Sequence, residues 1–262
     1  MAGVDGQALQ FSGDNELICK GVGEFSRTDA FSFSLWLKPT EPQERAVVLH
    51  RSRAWTDSAS RGYELVLEHG RPFFGLIHFW PGNAIGVRAR QALPTNEWSH
   101  ISVTYDGSSR AAGINLYLNG TRMETEIVRD NLYKDIVHRR EWGDADVGNV
   151  HLTLAGRFRD SGFKNGLIDD LQVFDVCLTE VEINLIARSE GGTNELHSLI
   201  LSPGESGQQN RSRRLEEADG VDTPARPPRY LGGYTSEVQG EGTALFDHYL
   251  ARHHEQIGRA HV

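Results

Sequence analysis

Phe31, Phe33, Leu35 and Leu37 alternate with Ser32, Ser34 and Trp36. A period of two puts the apolar set on one face of an extended chain, the pattern of a strand half-buried against a core. Further short runs rich in β-branched, aromatic and aliphatic residues cover positions 46–50, 63–68, 73–79, 98–105, 114–118, 151–154 and 167–174. Turn-forming stretches separate them: Glu68-His-Gly70, Pro81-Gly-Asn83, Asp106-Gly-Ser-Ser109 and Asn119-Gly120. The Asn119-Gly120 pair lies between Leu116-Tyr-Leu118 and Thr121-Arg-Met123. Both residues tolerate positive φ, so this is the signature of a two-residue hairpin. Many short strands at such spacing predict an all-β antiparallel sandwich or barrel.

One helix follows the strands. Thr179 precedes Glu180-Val-Glu-Ile-Asn-Leu-Ile186, and Glu182 stands three residues after it, as in a capping box. Val181, Leu185 and Ile186 are expected to share its buried face. Beyond it the pattern dissolves. Residues 189–242 contain Gly191-Gly, Pro203-Gly, Pro227-Pro and Gly232-Gly with few apolar positions, and they predict a flexible, mostly disordered linker. Residues 243–256 include the amphipathic Leu245-Phe-Asp-His-Tyr-Leu250, expected to begin a truncated helical segment. The final residues, 257–262 (Ile-Gly-Arg-Ala-His-Val), match the translation of a common sequencing adapter and stand outside the fold reasoning. The domain expectation is one sandwich over residues 5–188.

With 36 acidic and 27 basic residues, the net charge of -9 argues against nucleic acid or an anionic membrane as the main partner. No apolar run approaches the roughly 18 residues of a membrane span. The N-terminus carries no basic-then-apolar leader pattern, as expected for a piece of a longer secreted protein. Cys19 and Cys177 are open to pairing, because the first and last strands of a sandwich often lie side by side; spacing alone does not place their Cα atoms within the roughly 4.4–6.8 Å a disulfide needs.

Four blocks in order, Phe31-Ser-Phe-Ser-Leu-Trp-Leu-Lys-Pro39, Trp98-Ser-His-Ile-Ser-Val-Thr-Tyr-Asp-Gly107, Leu116-Tyr-Leu-Asn-Gly120 and Gly166-Leu-Ile-Asp-Asp-Leu-Gln-Val-Phe174, resemble the signature strands of laminin G-like, concanavalin A-like lectin–glucanase domains. The resemblance implies a jelly-roll sandwich. The stretches from Arg61 to Ala84 and from Arg129 to Tyr133 further resemble the version embedded in large planctomycete-type proteins with cytochrome c and planctomycete-specific domains. It thereby implies an extracytoplasmic (periplasmic, cell-surface or secreted) accessory module beside other domains of its parent chain, with polysaccharide or glycan as the expected partner.

Related glucanases carry Glu-x-Asp-x-x-Glu on one strand, and this chain has no such motif. Glu64 and Glu68 share a face but stand roughly 13 Å apart along the strand, beyond the separation retaining hydrolysis requires. Asp169 and Asp170, as neighbours, should face opposite ways. Ser99 and His100 likewise, so a triad with Asp106 is not expected and His100 reads as scaffold. The expectation is a non-catalytic recognition module. Sugar sites pair a flat aromatic face with amide, carboxylate or guanidinium groups, and Arg53, Trp55, Asp57, Trp80 and Asn83 fit that chemistry in two loops. Laminin G-like domains often take calcium through loop oxygens; Asp106, Asn119, Asp160 and Asp169 are the candidate ligands, with Asp144 and Asp146 as further loop carboxylates. A purely structural spacer or protein-interaction domain is the alternative reading.

Overall fold

The computed structural model describes residues 1–4, 6–55, 57–138 and 149–188, with the side chains of residues 57 and 58 outside the description. The expected linker 189–242, helical start 243–256 and adapter-like end 257–262 all lie outside the described residues.

Among the described residues thirteen strands run in chain order: β1 (Leu9–Ser12), β2 (Leu17–Cys19), β3 (Phe31–Lys38), β4 (Arg45–His50), β5 (Gly62–Glu68), β6 (Arg71–Phe79), β7 (Asn83–Ala89), β8 (Ser99–Tyr105), β9 (Ile114–Leu118), β10 (Thr121–Arg122), β11 (Thr125–Asn131), β12 (Leu152–Leu154) and β13 (Lys164–Phe174), followed by the helix α1 (Glu180–Arg188). They form two antiparallel sheets in a jelly-roll-like sandwich. One has six strands in the order β1-β13-β3-β8-β9-β10, the other seven in the order β11-β7-β6-β5-β4-β12-β2.

The core between the sheets follows from the alternation. Phe31, Phe33, Leu35 and Leu37 point inward from β3, Ile101, Val103 and Tyr105 from β8, and Tyr63, Leu65 and Leu67 from β5. Phe25 stacks on Phe31 with ring centroids 4.4 Å apart, and Phe33 stands edge-on to Phe31 at 5.4 Å. The Tyr63 hydroxyl reaches this apolar cluster without cost because it donates to the Gly23 carbonyl at 2.8 Å.

The Asn119-Gly120 hairpin forms as expected: φ is 49° and 80°, and Thr121 pairs with Leu118. Strands β1, β2, β7 and β11 carried no strong sequence signal. β1 and β2 are short. β11 is an edge strand whose seven residues are all partly or fully exposed, so its composition is polar. β7 contains Ala84, Gly86 and Ala89, whose small side chains blur the alternation.

The helix cap forms as read: the Thr179 N–H and hydroxyl both donate to Glu182 Oε2, at 2.7 and 2.8 Å. Its buried face keeps Ile186, as expected, but takes Ile183 in place of Val181. Ile183 and Ile186 are buried against Tyr117, Phe174 and Leu178, whereas Val181 is 69% exposed. The helix meets the outer face of the six-stranded sheet along an i, i+3 ridge, which turns Val181 to solvent.

Although β1 and β13 lie side by side, Cys19 and Cys177 do not pair. β2 crosses to the other sheet, beside β12, and both cysteines are free thiols. Burial pushes the Cys19 thiol up to about 12.

Replacing Ile186 with Ala should remove about 2–4 kcal/mol of stability, while Val181→Ala should change it by less than about 0.5 kcal/mol. Urea unfolding of the two variants checks the helix orientation; equal losses would overturn it.

Candidate functional site

The outer face of the seven-stranded sheet brings the two candidate tryptophans together. Gly75 on β6 pairs with Gly86 on β7, and the absence of side chains there lets the Phe73 ring lie flat on the sheet. A Cβ at Gly86 would fall 2.7 Å from that ring. Trp80, at the β6–β7 turn, stands edge-on to Phe73 with centroids 6.0 Å apart. Trp55, from the segment joining β4 and β5, lies 6.2 Å from Trp80. Both indoles are half-buried. Phe79, 44% exposed, and Phe158, 69% exposed, extend the set of solvent-facing aromatics.

A buried ionic cluster fixes Trp55. The Arg45 guanidinium lies 4.1 Å from the ring centre and that of Arg157 at 5.0 Å, both within cation–π range. Arg45 pairs with Asp160 at 2.8 Å, Glu68 at 3.1 Å and Glu64 at 3.6 Å. Arg157 pairs with Glu64 at 2.5 Å and with Asp160. The side chains of Glu64, Arg157 and Asp160 are at most 2% exposed, so none could remain charged without the others. Burial alone would raise the Asp160 carboxyl, but the two arginines outweigh it and hold the group below its ordinary range. His50 lies beside the cluster, hydrogen-bonded to the Gly156 carbonyl at 2.7 Å; burial first and Arg157 second push it down to about 3.

The cluster joins two loops to the sheet. Val47 N–H donates to the Ser161 carbonyl and Trp55 N–H to the Phe158 carbonyl, so residues 156–162 run alongside β4 and carry Arg157 over β5. The Glu64 and Glu68 carboxylates converge on one guanidinium although their strand positions are well separated, because long side chains lean towards a shared cation. Their two charges are matched by Arg45 together with Arg157 on Glu64 and Arg88 on Glu68.

The other sequence candidates are placed differently. Arg53 is half-buried in a cleft with His50, Ser52, Arg157 and Phe158, a cavity of about 320 Å³. The side chain of Asp57 is outside the described residues. Asn83, read as a loop residue, is the first residue of β7 and is buried; its Oδ1 accepts from the Tyr133 and Lys134 N–H groups, each at 3.2 Å. It holds the segment after β11 in place.

The residues named for calcium do not assemble. Asp106 Oδ1 accepts from Ser108 N–H in its turn, and Asn119 Oδ1 accepts from His100 N–H in the hairpin. Asp160 belongs to the ionic cluster, and Asp169 accepts from Val4 and Asp170 N–H groups. Among the described residues no three His, Cys, Asp or Glu side chains gather as a cation's ligands. Asp144 and Asp146 lie outside the described residues. His100 is part of the scaffold: it meets Ser34 Oγ at 2.7 Å and the edge of Trp36, and burial lowers it to about 4.

A second cavity, of about 640 Å³, opens where the β2–β3 loop, the ends of β5 and β6 and the segment after β11 meet. Arg27, Thr28, Arg61, His78, Tyr133, Lys134 and Asp135 line it. Sequence reasoning missed Arg45, Arg157, Phe158 and this cavity. The residues of each are far apart in the chain, and only the two glycines opposite Phe73 leave a local trace.

The geometry agrees with the comparisons. The family model of the concanavalin A-like lectin/glucanases superfamily, of laminin G type, matches residues 11–184, and the chain belongs to that family. Among solved structures, the CBM40 of Ruminococcus gnavus IT-sialidase superposes with a TM-score of 0.53 at 14% identity, covering 70% of this chain and 97% of that one. The same CBM40 bound to alpha2,3 sialyllactose gives 0.52 at 14%, with 69% and 96% covered. Domain 4 of AbnA, an extracellular arabinanase from Geobacillus stearothermophilus solved with arabinotriose, gives 0.46 at 20%, with 70% and 78% covered. The chain spans less than half the length of some structures it matches, 44% and 45% of two of them. No curated protein matches it. Among the described residues no helix is long and apolar enough to cross a membrane.

Arg157→Met should cost about 3–5 kcal/mol, because it leaves Glu64 charged and buried; adding Glu64→Gln should recover part of that loss. Urea midpoints of the single and double variants measure it, and a silent Arg157→Met would contradict the cluster's role. Stability should also depend on acid. His50 and His100 both stay neutral in the fold below the ordinary histidine value of 6.5. The unfolded chain therefore binds protons first as pH falls, and stability is full above about pH 6.5 and declines below it, by on the order of 2 kcal/mol per histidine near pH 4.5. Protonation of Asp160 adds a further loss that begins as pH falls through the ordinary carboxylate value of 3.8 and continues down to its lower value in the fold. Equal urea midpoints at pH 7 and 4.5 would overturn this account.

Proposed function

We propose that this domain is a non-catalytic carbohydrate-recognition module. The observation that supports the reading is the Trp55–Trp80 pair, half-buried side by side on the outer face of the seven-stranded sheet. Indole faces suit the C–H surface of a sugar ring, and the neighbouring guanidiniums and carboxylates suit its hydroxyls. The carbohydrate-binding domains among its structural relatives agree with this choice. The carboxylates near the tryptophans are neutralised by arginine, which favours binding over acid–base chemistry. We place the module outside the cytoplasm, within a larger protein of the planctomycete type with its own catalytic or redox domains.

A second reading has its own support. Trp55 packs on Arg45 and Arg157, so its indole also serves to hold the loops, as a structural spacer or protein-interaction domain would require.

A glycan array probed with the full chain, with and without calcium, separates the two. Binding to at least one oligosaccharide is expected, and Trp80→Ala should weaken it by about tenfold or more while the fold survives. Binding that depends on calcium would restore the ion to the account. An array without any bound glycan would leave the spacer reading standing.

A further inference from the structure

The cavity of about 640 Å³ lies beyond the tryptophan pair and concentrates positive charge in an acidic protein. Among the described residues, Arg27, Arg61 and Lys134 line it against one carboxylate, Asp135, with His78 between them. Asp135 Oδ1 accepts from Arg27 N–H at 3.1 Å and Ile136 N–H at 2.8 Å. Among the described residues neither Arg27 nor Lys134 has an acidic side chain as an ion-pair partner. Arg27 Nη1 is held by Ser109 Oγ at 2.6 Å, which orients its guanidinium. His78 Nδ1 donates to the Asp135 carbonyl at 2.6 Å. Burial, then Arg61 and Lys134, lower that histidine despite the hydrogen bond, as a local positive field would. Tyr133 is 63% exposed at the rim. The wall is built rather than incidental, since Asn83 beneath it pins the Tyr133 and Lys134 N–H groups.

We infer that this cavity is a subsite for the carboxylate of an acidic sugar, with Arg27, Arg61 and Lys134 facing the carboxylate and Tyr133 against the ring. The inference rests on the carbohydrate reading above. Guanidinium forks match planar carboxylates, and the volume falls in the roughly 300–1,000 Å³ range of ligand sites. The net charge of -9 repels polyanions at long range, so a short-range contact with single carboxylates suits this protein better than a nucleic-acid strand.

The test uses the full chain and calorimetric titration with oligosaccharides ending in galacturonate, glucuronate or N-acetylneuraminate, each beside its methyl ester, which keeps the shape and removes the charge. At least one acid should bind tenfold or more tighter than its ester, and Lys134→Ala, an exposed position, should erase that preference while urea stability stays unchanged. Equal affinity for every acid and its ester, or an acid preference that survives both Lys134→Ala and Arg27→Gln, overturns the subsite. If neutral glycans bind through Trp80 and no acid is preferred, the subsite alone fails. If no saccharide binds at all, both it and the carbohydrate reading fall.

Discussion

Everything on the outer face of the seven-stranded sheet depends on the ion cluster of Arg45, Glu64, Arg157 and Asp160. Charges removed from water to this degree are tolerated only when each meets an opposite partner in good geometry. Satisfying that condition requires the loop after β12 to lie along β4 and deliver Arg157 to β5. Once it is there, Trp55 has a cationic surface to pack on, and its indole is brought beside Trp80. The aromatic pair is therefore a consequence of electrostatics at a sheet surface as much as of hydrophobic burial.

The same logic makes this face polar and selective rather than an extension of the core. Val47, Val66 and Phe73 form a small apolar cluster, enough to seat Trp80, and arginines and glutamates surround it. A surface of this kind offers ring stacking at its centre and hydrogen bonding at its edge. The end cavity offers a different chemistry, net positive and edged by one tyrosine. Asn83 connects the two regions: it starts β7 just after the Trp80 turn, and its amide oxygen shapes the cavity wall.

Much of the sandwich was legible from local pattern. The alternation in β3, the Asn119-Gly120 turn and the Thr179 cap each rest on interactions a few residues long, and all three formed. Edge strands and short strands escaped, because β11 has no buried face to impose a period and β1 and β2 are too brief to show one. The helix face was misread because Val181 and Ile183 are both apolar, and only the positions of Tyr117 and Phe174 decide which of them is covered.

The candidate site divides along the same line. Trp55 and Trp80 were identifiable from residue type and turn context, whereas Asn83, read as a ligand-binding loop residue, is buried at the start of β7 and holds the segment after β11. Arg45, Arg157 and the lining of the cavity were not identifiable, since their partners lie more than a hundred residues away in several cases. By itself the sequence determined the strand periodicity, the hairpin and the cap, and with them the all-β class, because those depend on neighbours along the chain. Only the tertiary structure decided which charges are buried, which tryptophans meet and where positive charge collects, because burial and Coulomb energy depend on distance in space.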